Sequence, residues 1–516
     1  MGNLSAAPGR SGTGSDGELR CATNASIVAA VRPFDLQMSI ETPEEKAKHR
    51  VRQLIWLYFW LLLIEGALRK WVMPRYSNPL LLVRDPVLLA IYFYTLRAHV
   101  FPRNAFVISL WSITVFSLVA SIIQLSPYLP MTPILEVTLY GFRCNFLHLP
   151  LIFIMASVFD EEDVKRFGWW ILLGMIPMCL IMAAQFEASA DSFINRTAGA
   201  GEAEQLTAGG GKIRPPGTFS FISGTVFYIS VAAAFLIYGA LTRTVYKNWL
   251  LIASAAALVV GIVVSGSRSC VVSVLIVVFS VVVILAVRPK AVNKFGRTLL
   301  IVVIGGLIIT HLPIFKEGAQ ILSDRFTASA EASETTITKG MIERVISGFT
   351  EGLSHIDKVP LFGYGIGIGT NVGGRILIGR PAFLLAENEW SRVLAESGPI
   401  LGLAFLVWRT LLTFKLGWLS FIALRRGALL PILLFSSGFV LLLNGQLGQP
   451  TTLGFVVLLN GLCLAATRPR LIEPADIASP LMGQPVGKPL PRRSVYASRL
   501  HGPEIGAEHN NGSADR

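Results

Sequence analysis

Long apolar runs dominate the chain, and short polar connections separate them. A transmembrane helix needs about 20 consecutive, mostly apolar residues. Segments that satisfy this rule are 53–71, 79–97, 104–124, 133–157, 167–186, 217–240, 247–264, 268–287, 297–314, 399–416, 428–445 and 451–467. The pattern predicts an all-α, polytopic transmembrane bundle of about 12 spans.

The segment Trp249–Val287 constrains the helix count most tightly. It is almost forty residues long and nearly uncharged, which is far too long for one span. Its only polar interruption is the pentapeptide Ser265-Gly266-Ser267-Arg268-Ser269, and Gly and Ser favour sharp turns. We therefore predict two helices joined by a tight hairpin at this pentapeptide.

Composition supports a membrane protein and gives the charge a topological meaning. Of 516 residues, 53% are hydrophobic and only 15% are charged, whereas soluble domains carry about 25% charged residues. In a soluble protein the net charge of +13 would suggest a nucleic acid partner. In a membrane protein Lys and Arg concentrate in cytoplasmic loops. No nucleic acid partner is therefore expected.

The placement of Lys and Arg predicts that both termini are cytoplasmic. With the N-terminus inside, the predicted inner loops contain the basic residues, whereas two outer connections, 125–132 and 444–450, carry no charge. The inner basic residues are Arg97, Arg103, Lys165, Arg166, Arg243, Lys247, Arg288, Lys290, Lys294, Arg297, Arg425 and Arg426.

The same pattern divides the chain into five parts. Residues 1–50 and 468–516 are polar or Pro/Arg-rich and are predicted to be disordered cytoplasmic ends, without a cleavable signal peptide. Spans 1–9 occupy 51–314 and spans 10–12 occupy 399–467. The large loop 315–398 is expected outside, with an amphipathic helix near 338–354. The five cysteines show no spacing typical of a metal site or a disulfide framework, and the predicted outer side has no Asp-x-Asp motif or His cluster. No metal and no cofactor are expected.

Several basic residues lie on the predicted outer side, where the charge rule disfavours them. They are Arg69, Lys70, Arg75, Arg84, Arg143, Arg214 and Arg268. Charge within the membrane is costly and usually faces a cavity or a partner. Two structural alternatives are snorkelling to lipid phosphates and pairing with Glu65, Asp85 or Glu136. For Arg214 and Arg268 we favour a functional interpretation, because converging guanidinium groups bind phosphate or pyrophosphate in bidentate fashion.

A glycine-alternating stretch lies in the outer loop, after Arg344. It runs from Pro360 to Gly369 and contains Tyr364. No strand precedes it, so it is not a dinucleotide-binding fingerprint. It predicts either close backbone packing against the bundle or a sugar, or a flexible turn.

A second polar motif, 386–399, leads directly into the tenth span. Glu387, Asn388, Ser391 and Arg392 would share one face of a helix, as would Glu389 and Arg392. A carboxylate at the outer membrane surface, opposite arginines, suits a general base that activates a hydroxyl. Alternatively, the acidic residues favour the positive end of a helix.

The order of these motifs resembles the O-antigen ligase and polymerase family of bacterial membrane enzymes, which are GT-C-type glycosyltransferases. The likeness extends over about 214–464 and rests on Arg-x-x-Gly-Thr-Phe before a span, a Ser-Arg hairpin, Pro-Leu-Phe-Gly-Tyr-Gly, and Glu-x-Gly before a span. The segment Glu65–Trp71 also looks like one in some exopolysaccharide members. The resemblance implies transfer of a glycan from an undecaprenyl-pyrophosphate carrier to a hydroxyl, on the periplasmic face of the inner membrane, without a metal.

Carried over to this sequence, the resemblance assigns Arg214 and Arg268 to the carrier pyrophosphate and Arg344 to a loop arginine. Ligases of the family place a His-Asn-type pair where this chain has Glu387-Asn388. This departure favours a polysaccharide polymerase with Glu387 as the base; His355 is an alternative. The predicted substrate-binding residues are Arg344, Arg143, Asn388, Arg392 and Tyr364.

The sequence is also compatible with three other functions. They are a ligase acting on a lipid or protein acceptor, a transporter or flippase of lipid-linked glycan, and a non-catalytic envelope subunit. The expected partners are the undecaprenyl-pyrophosphate-linked glycan, the lipid bilayer and other polysaccharide-assembly proteins.

Overall fold

Helices account for most of the described chain in the computed structural model. It describes residues 43–198, 207–209, 211–242, 244–289, 317–321, 323, 327, 349–354 and 356–468. The longer helices are α1 (Pro43–Ala67), α3 (Arg84–Arg97), α4 (Ala105–Leu125), α5 (Met131–Phe142), α6 (Leu151–Val158), α7 (Glu161–Glu187), α8 (Ile222–Thr242), α9 (Asn248–Val264), α10 (Arg268–Val287), α12 (Glu389–Arg426), α13 (Leu430–Asn444) and α14 (Pro450–Ala466). Short helices α2 (Ser77–Leu80) and α11 (Asn371–Ile378) lie in connections, and strands β1 (Thr207–Gly209) and β2 (Lys212–Ile213) pair antiparallel.

Eight helical stretches in this part of the chain are long and apolar enough to cross a membrane. They are Glu44–Val72, Pro74–Arg97, Ala105–Leu125, Met131–Val158, Glu161–Glu187, Ile222–Thr242, Arg268–Val287 and Glu389–Arg426. Three shorter apolar helices, α9, α13 and α14, pack among them. The predicted mostly helical fold with several apolar helices that could cross a membrane is therefore confirmed, whereas the predicted ninth span, 297–314, lies outside the described residues.

The tight hairpin predicted between two apolar helices is confirmed. Helix α9 ends at Val264 and α10 begins at Arg268, so Arg268 is the first helical residue rather than part of the turn. Gly266 has φ +55°, in the left-handed region that favours glycine.

Two element boundaries differ from the hydropathy pattern. Helix α1 begins at Pro43, inside the segment predicted to be disordered. The tenth predicted span begins at Glu389 instead of residue 399, because helix α12 extends back through the polar motif. Hydropathy marks the apolar part of a helix and misses a polar turn that precedes it.

Contacts between distant segments define two ends of the bundle. At the end we call the loop end, the connections 73–83, 126–130, 211–221, 265–267, 356–388 and 445–449 come together. For example, the Lys70 ammonium bonds the Gly217 carbonyl, and a Cβ added at Gly448 would lie 3.2 Å from Thr370 Cγ2. At the opposite end the Arg52 guanidinium bonds the Val158 carbonyl, and the Tyr246 hydroxyl donates to the Lys165 carbonyl at 3.0 Å.

Candidate functional site

The side chain of Arg214 packs against the hairpin that carries Arg268. A Cβ added at Gly266 would lie 3.9 Å from Arg214 Cγ and 2.9 Å from Ala208 Cβ. The Arg214 Nε donates to the Thr207 carbonyl oxygen at 3.1 Å, which ties the side chain to β1. Both arginines are half-buried. At the loop end, the aliphatic part of the Arg214 side chain therefore lies next to Gly266, which is two residues before Arg268 in the sequence.

The segment that follows Arg214 packs tightly on the end of α1. The Arg69 guanidinium donates to Ser220 Oγ at 2.9 Å, and the Thr218 hydroxyl donates to the Leu63 carbonyl at 2.7 Å. A Cβ added at Gly66 would lie 2.5 Å from the backbone of 218–220. The Glu65–Trp71 motif and the Arg-Pro-Pro-Gly-Thr-Phe-Ser motif are therefore two halves of one interface.

Two π-helical turns carry buried cations at this end. The turn Leu68–Val72 follows α1 and holds Arg69 and Lys70, and the turn Arg143–Leu147 follows α5. Such turns are rare and often occur at functional sites.

A buried polar network connects α1, α3 and the second π turn. The Asp85 carboxylate pairs with Arg143 Nε at 2.5 Å and accepts from His148 Nε2 at 3.1 Å. Because Nε2 faces the carboxylate, it carries the proton, and His148 Nδ1 accepts from the Tyr58 hydroxyl at 3.0 Å. The pairing of Arg143 with Asp85 is the structural alternative that the sequence allowed. The Arg143 guanidinium is buried, and its Nη1 has no hydrogen-bond partner among the described atoms.

Arg84 extends this network to the rest of α1. Its Nε pairs with Glu65 Oε2 at 3.2 Å, and its Nη1 donates to Tyr58 Oη at 3.3 Å. Its Nη2 donates to the Pro450 carbonyl, at the start of α14. The predicted alternative partner Glu65 is thus engaged by Arg84 and, at 3.7 Å, by Arg69. These charges join helices together within the bundle.

A second buried network occupies the first turns of α12. Glu389 pairs with Arg392 at 3.0 Å and with Arg409 Nη1 at 2.7 Å, and Arg392 also pairs with Glu396 at 2.6 Å. The Asn145 Oδ1 accepts from Arg392 Nη2 at 2.9 Å. Two guanidinium groups thus face two carboxylates, all of them at most 4% exposed. The predicted face shared by Glu389 and Arg392 is confirmed, and Arg392, predicted to bind substrate, is buried in these pairs.

Glu387 and Asn388 do not share that helix face, so this prediction is wrong. Helix α12 begins at Glu389, which leaves Asn388 as its N-cap and Glu387 in the connection before it. Glu387 is exposed, and its carbonyl oxygen accepts from Gln446 Nε2 at 2.7 Å. Asn388 Nδ2 approaches Glu351 Oε2 at 3.5 Å. No described contact joins Glu387 to Arg214 or Arg268.

The glycine-alternating stretch packs its backbone against the bundle, one of its predicted conformations. Gly363, Gly365 and Gly367 all have positive φ, and Gly367 leaves no room for a Cβ because Val137 O would lie 2.2 Å away. The amides of Tyr364 and Gly365 donate to the Ala395 and Glu396 carbonyls at 2.9 and 3.0 Å. We call residues 360–370 the glycine loop.

The glycine loop fits a break in α12. Gly398 has φ +73°, and Pro399 follows it without an amide hydrogen. The loop amides therefore satisfy carbonyls that the interrupted helix cannot. Gly369 N also donates to Glu396 Oε1 at 2.9 Å, which couples the loop to the α12 network. Tyr364, predicted to bind substrate, is 44% exposed at the loop end.

Two further predicted site residues and most of a predicted helix fall outside the part of the chain that the structure describes. Arg344 and His355 lie outside the described residues, as does most of the amphipathic stretch 338–354. Its last residues, 349–354, are helical and contact the start of α12, where the Phe349 and Trp390 rings meet with centroids 4.8 Å apart.

Sequence reasoning did not single out four residues with central positions: Arg409, Asn145, His148 and Gln185. Arg409 is one of two charged residues in the apolar run 399–416, and Gln185 is an amide near the end of another run. Because a polar group there is costly without a partner, isolation within a span was the available signal.

The described residues contain no group of three or more His, Cys, Asp or Glu side chains that could hold a metal ion. A comparison with protein-family models gives no match for this chain, and a comparison with curated proteins also gives none.

Proposed function

We propose that this protein polymerises lipid-linked oligosaccharide repeat units into O-antigen or exopolysaccharide at the periplasmic face of the bacterial inner membrane. The donor is an undecaprenyl-pyrophosphate-linked glycan. The proposal includes twelve GT-C-like spans with both termini in the cytoplasm: the described helices supply eleven and the segment 297–314 the twelfth. The loop end is then the periplasmic end.

One observation carries the proposal: the Arg214 side chain lies against the Gly266 turn, beside the first residue of α10, Arg268. Two guanidinium groups from different segments on a half-buried surface match the two phosphates of a pyrophosphate, which Arg binds through paired N–H donors. At a membrane boundary their charge acts in a low dielectric and is therefore effective.

The chemistry is a displacement at the anomeric carbon of the donor sugar. An acceptor hydroxyl oxygen forms the new bond to this carbon while the bond from the carbon to the pyrophosphate oxygen breaks. Undecaprenyl pyrophosphate leaves with the bonding electron pair, and Arg214 and Arg268 stabilise its charge. Glu387, the exposed carboxylate before α12, takes the hydroxyl proton. The product has inverted configuration.

The test is an in-cell polymer assay with Arg268→Ala. Removal of this guanidinium should abolish polymer and cause single lipid-linked repeat units to accumulate, at unchanged membrane levels of the protein. Arg75→Ala, which removes an exposed arginine at the same end, is the matched control and should retain polymer. Polymer of normal length and yield in Arg268→Ala would refute the role of Arg268.

A flippase is a second candidate, and the break in α12 at Gly398 favours it, because transporters build substrate sites from discontinuous helices. Loss of a flippase would leave the repeat units on the cytoplasmic leaflet, whereas loss of a polymerase leaves them on the periplasmic leaflet. If the protein is a ligase, the deletion strain should instead accumulate finished polymer that is still attached to its lipid carrier. Leaflet-specific detection of the accumulated lipid therefore separates a flippase from a polymerase, and the length of the lipid-linked glycan separates a ligase from both.

A further inference from the structure

The peptide groups around Gly217, three residues after Arg214, are held by side chains from two other spans. Gln185 Oε1, on α7, accepts from the Gly217 amide at 2.8 Å. Gln185 Nε2 donates to the Gly217 carbonyl at 3.2 Å. The Lys70 ammonium, on the π turn after α1, donates to the same carbonyl at 2.7 Å. Both backbone groups of Gly217 are thereby bonded to side chains.

These holding side chains are themselves deeply buried. Gln185 is 0% exposed and Lys70 is 1% exposed. A buried carboxamide or ammonium is costly unless its polar atoms are bonded, so neither position is favourable without its partner. The side-chain oxygen and nitrogen of Gln185 both form hydrogen bonds with Gly217, and Nε2 donates one further bond to the Ile194 carbonyl at 3.1 Å. Gln185 and Lys70 therefore both depend on the backbone of Gly217 as a hydrogen-bond partner.

The conformation of Gly217 requires glycine and a fixed peptide orientation. Its φ is +61°, and an added Cβ would lie 2.5 Å from Met178 Sδ. Between Gly217 and Arg214 stand Pro215 and Pro216, whose rings fix φ near −65°. Few backbone torsions can rotate between the held glycine and the arginine. A change in the direction of the Gly217 peptide is therefore transmitted to Arg214.

We infer that Gln185 and Lys70 are positioning residues for Arg214: by holding Gly217, they aim the guanidinium at the pyrophosphate of a lipid carrier. The inference rests on the proposed function, in which Arg214 binds that pyrophosphate. Both residues are buried, so in this proposal neither contacts the carrier. Their effect on carrier binding therefore passes through Arg214 alone.

The test measures binding of undecaprenyl pyrophosphate to the full-length protein in nanodiscs, with undecaprenol as the probe that lacks phosphate. Gln185→Leu should weaken undecaprenyl pyrophosphate binding by about tenfold or more, since small misplacements of a binding group have large effects. In the Arg214→Ala background the same substitution should change binding by less than about twofold, because residues that act through one group are non-additive. Undecaprenol binding should not change in either background.

Asn195→Leu is the matched control for lost packing at the same helix end. Asn195 Nδ2 donates to the carbonyls of Gln185, Ala188 and Ser189, at 2.9–3.3 Å, and makes no described bond to Gly217. This variant should lower stability while leaving undecaprenyl pyrophosphate binding unchanged. If Gln185→Leu fails to insert, Gln185→Met replaces it, with a neutral, flexible side chain of similar size.

The outcomes separate the two proposals. If Gln185→Leu leaves binding unchanged, or weakens it by the same factor with and without Arg214, the positioning role is overturned while the role of Arg214 stands. If Arg214→Ala itself binds undecaprenyl pyrophosphate like the wild type, the role of Arg214 in the proposed function fails. Lys70→Met should show the same dependence on Arg214 as Gln185→Leu, and an effect that persists in Arg214→Ala would contradict its assignment.

Discussion

At the residue scale, the charges near the loop end divide into two classes. Arg84, Arg143, Arg392 and Arg409 are buried and face carboxylates, whereas Arg214 and Arg268 are half-buried beside a turn. A buried ion pair contributes little net stability by itself, but removal of one partner leaves an uncompensated charge. The first class therefore joins helices, whereas the second class is the one that we propose binds the carrier pyrophosphate.

Arg409→Met tests the structural class. It leaves Glu389 with one cation instead of two and removes the donors to the Leu442 and Gly445 carbonyls, at 2.8 and 3.0 Å. We expect the free energy of unfolding of the purified protein in detergent to fall by about 3–5 kcal/mol.

Arg426→Met, at the exposed end of the same helix, is the control for this substitution. It should change the free energy of unfolding by no more than about 0.5 kcal/mol. Equal effects at the two positions would show that the Glu389–Arg409 pair is dispensable.

These two classes explain which site residues the sequence could predict. Glu389 and Arg392 are three positions apart on one helix, so periodicity alone placed them on one face. The partner Arg409 is 20 positions from Glu389, beyond the break at Gly398, and Asn145 comes from another span. Local spacing contains no information on such pairs.

At the element scale, the contact between the glycine loop and the break in α12 fixes both parts. A Cβ added at Gly398 would lie 2.3 Å from the Leu361 carbonyl oxygen, and one added at Gly363 would lie 2.3 Å from the Glu396 carbonyl oxygen. The alternation of glycines is visible in the sequence, but the segment of α12 that these glycines contact is not. The helix that receives the loop is recognisable only from Gly398 and Pro399, which also suit an ordinary helix start.

Gly398→Ala should separate this contact from ordinary backbone strain. We expect a loss of about 2–6 kcal/mol in the free energy of unfolding, since the backbone conformation of Gly398 (φ +73°, ψ 176°) costs other residues about 1–3 kcal/mol and the clash adds about 1–3. Faster proteolysis within residues 356–388 should accompany it.

Gly379→Ala supplies the comparison, because Gly379 has φ +75° with no atom within 4 Å of an added Cβ. It should show the cost of a left-handed backbone without a clash, about 1–2 kcal/mol, because its ψ is −3°. If the two alanines destabilise equally, the loop contact contributes nothing.

At the scale of the whole molecule, apolar length predicted the eight helical stretches that are long and apolar enough to cross a membrane, since a span needs about 20 apolar residues. It predicted the α9–α10 hairpin to within a residue. It misplaced the start of α12 because Glu389, Arg392 and Glu396 compensate one another, so a polar turn continues the helix at low cost. A hydropathy sum treats each charge as unpaired.

Cysteine labelling tests the proposed orientation. The four cysteines among the described residues are buried, so a background with Cys21→Ser should react little with an impermeant maleimide. Single cysteines at Tyr128 and Asp191, which are exposed at the loop end, should react in spheroplasts. Cysteines at Glu162 and Arg426, exposed at the opposite end, should react only after the membrane is permeabilised. Reaction of Tyr128→Cys and Glu162→Cys from the same side would exclude this topology.

The bonds between the glycine loop and α12 also bear on how a bulky molecule reaches this end of the protein. The loop amides are the hydrogen-bond partners of Ala395 and Glu396, so swinging the loop outward would strand two backbone oxygens inside the bundle. Residues 360–370 therefore behave as a fixed wall rather than as a lid. If the protein acts on a lipid-linked glycan, as we propose, the polyprenyl chain must therefore reach the loop end without any outward movement of this loop.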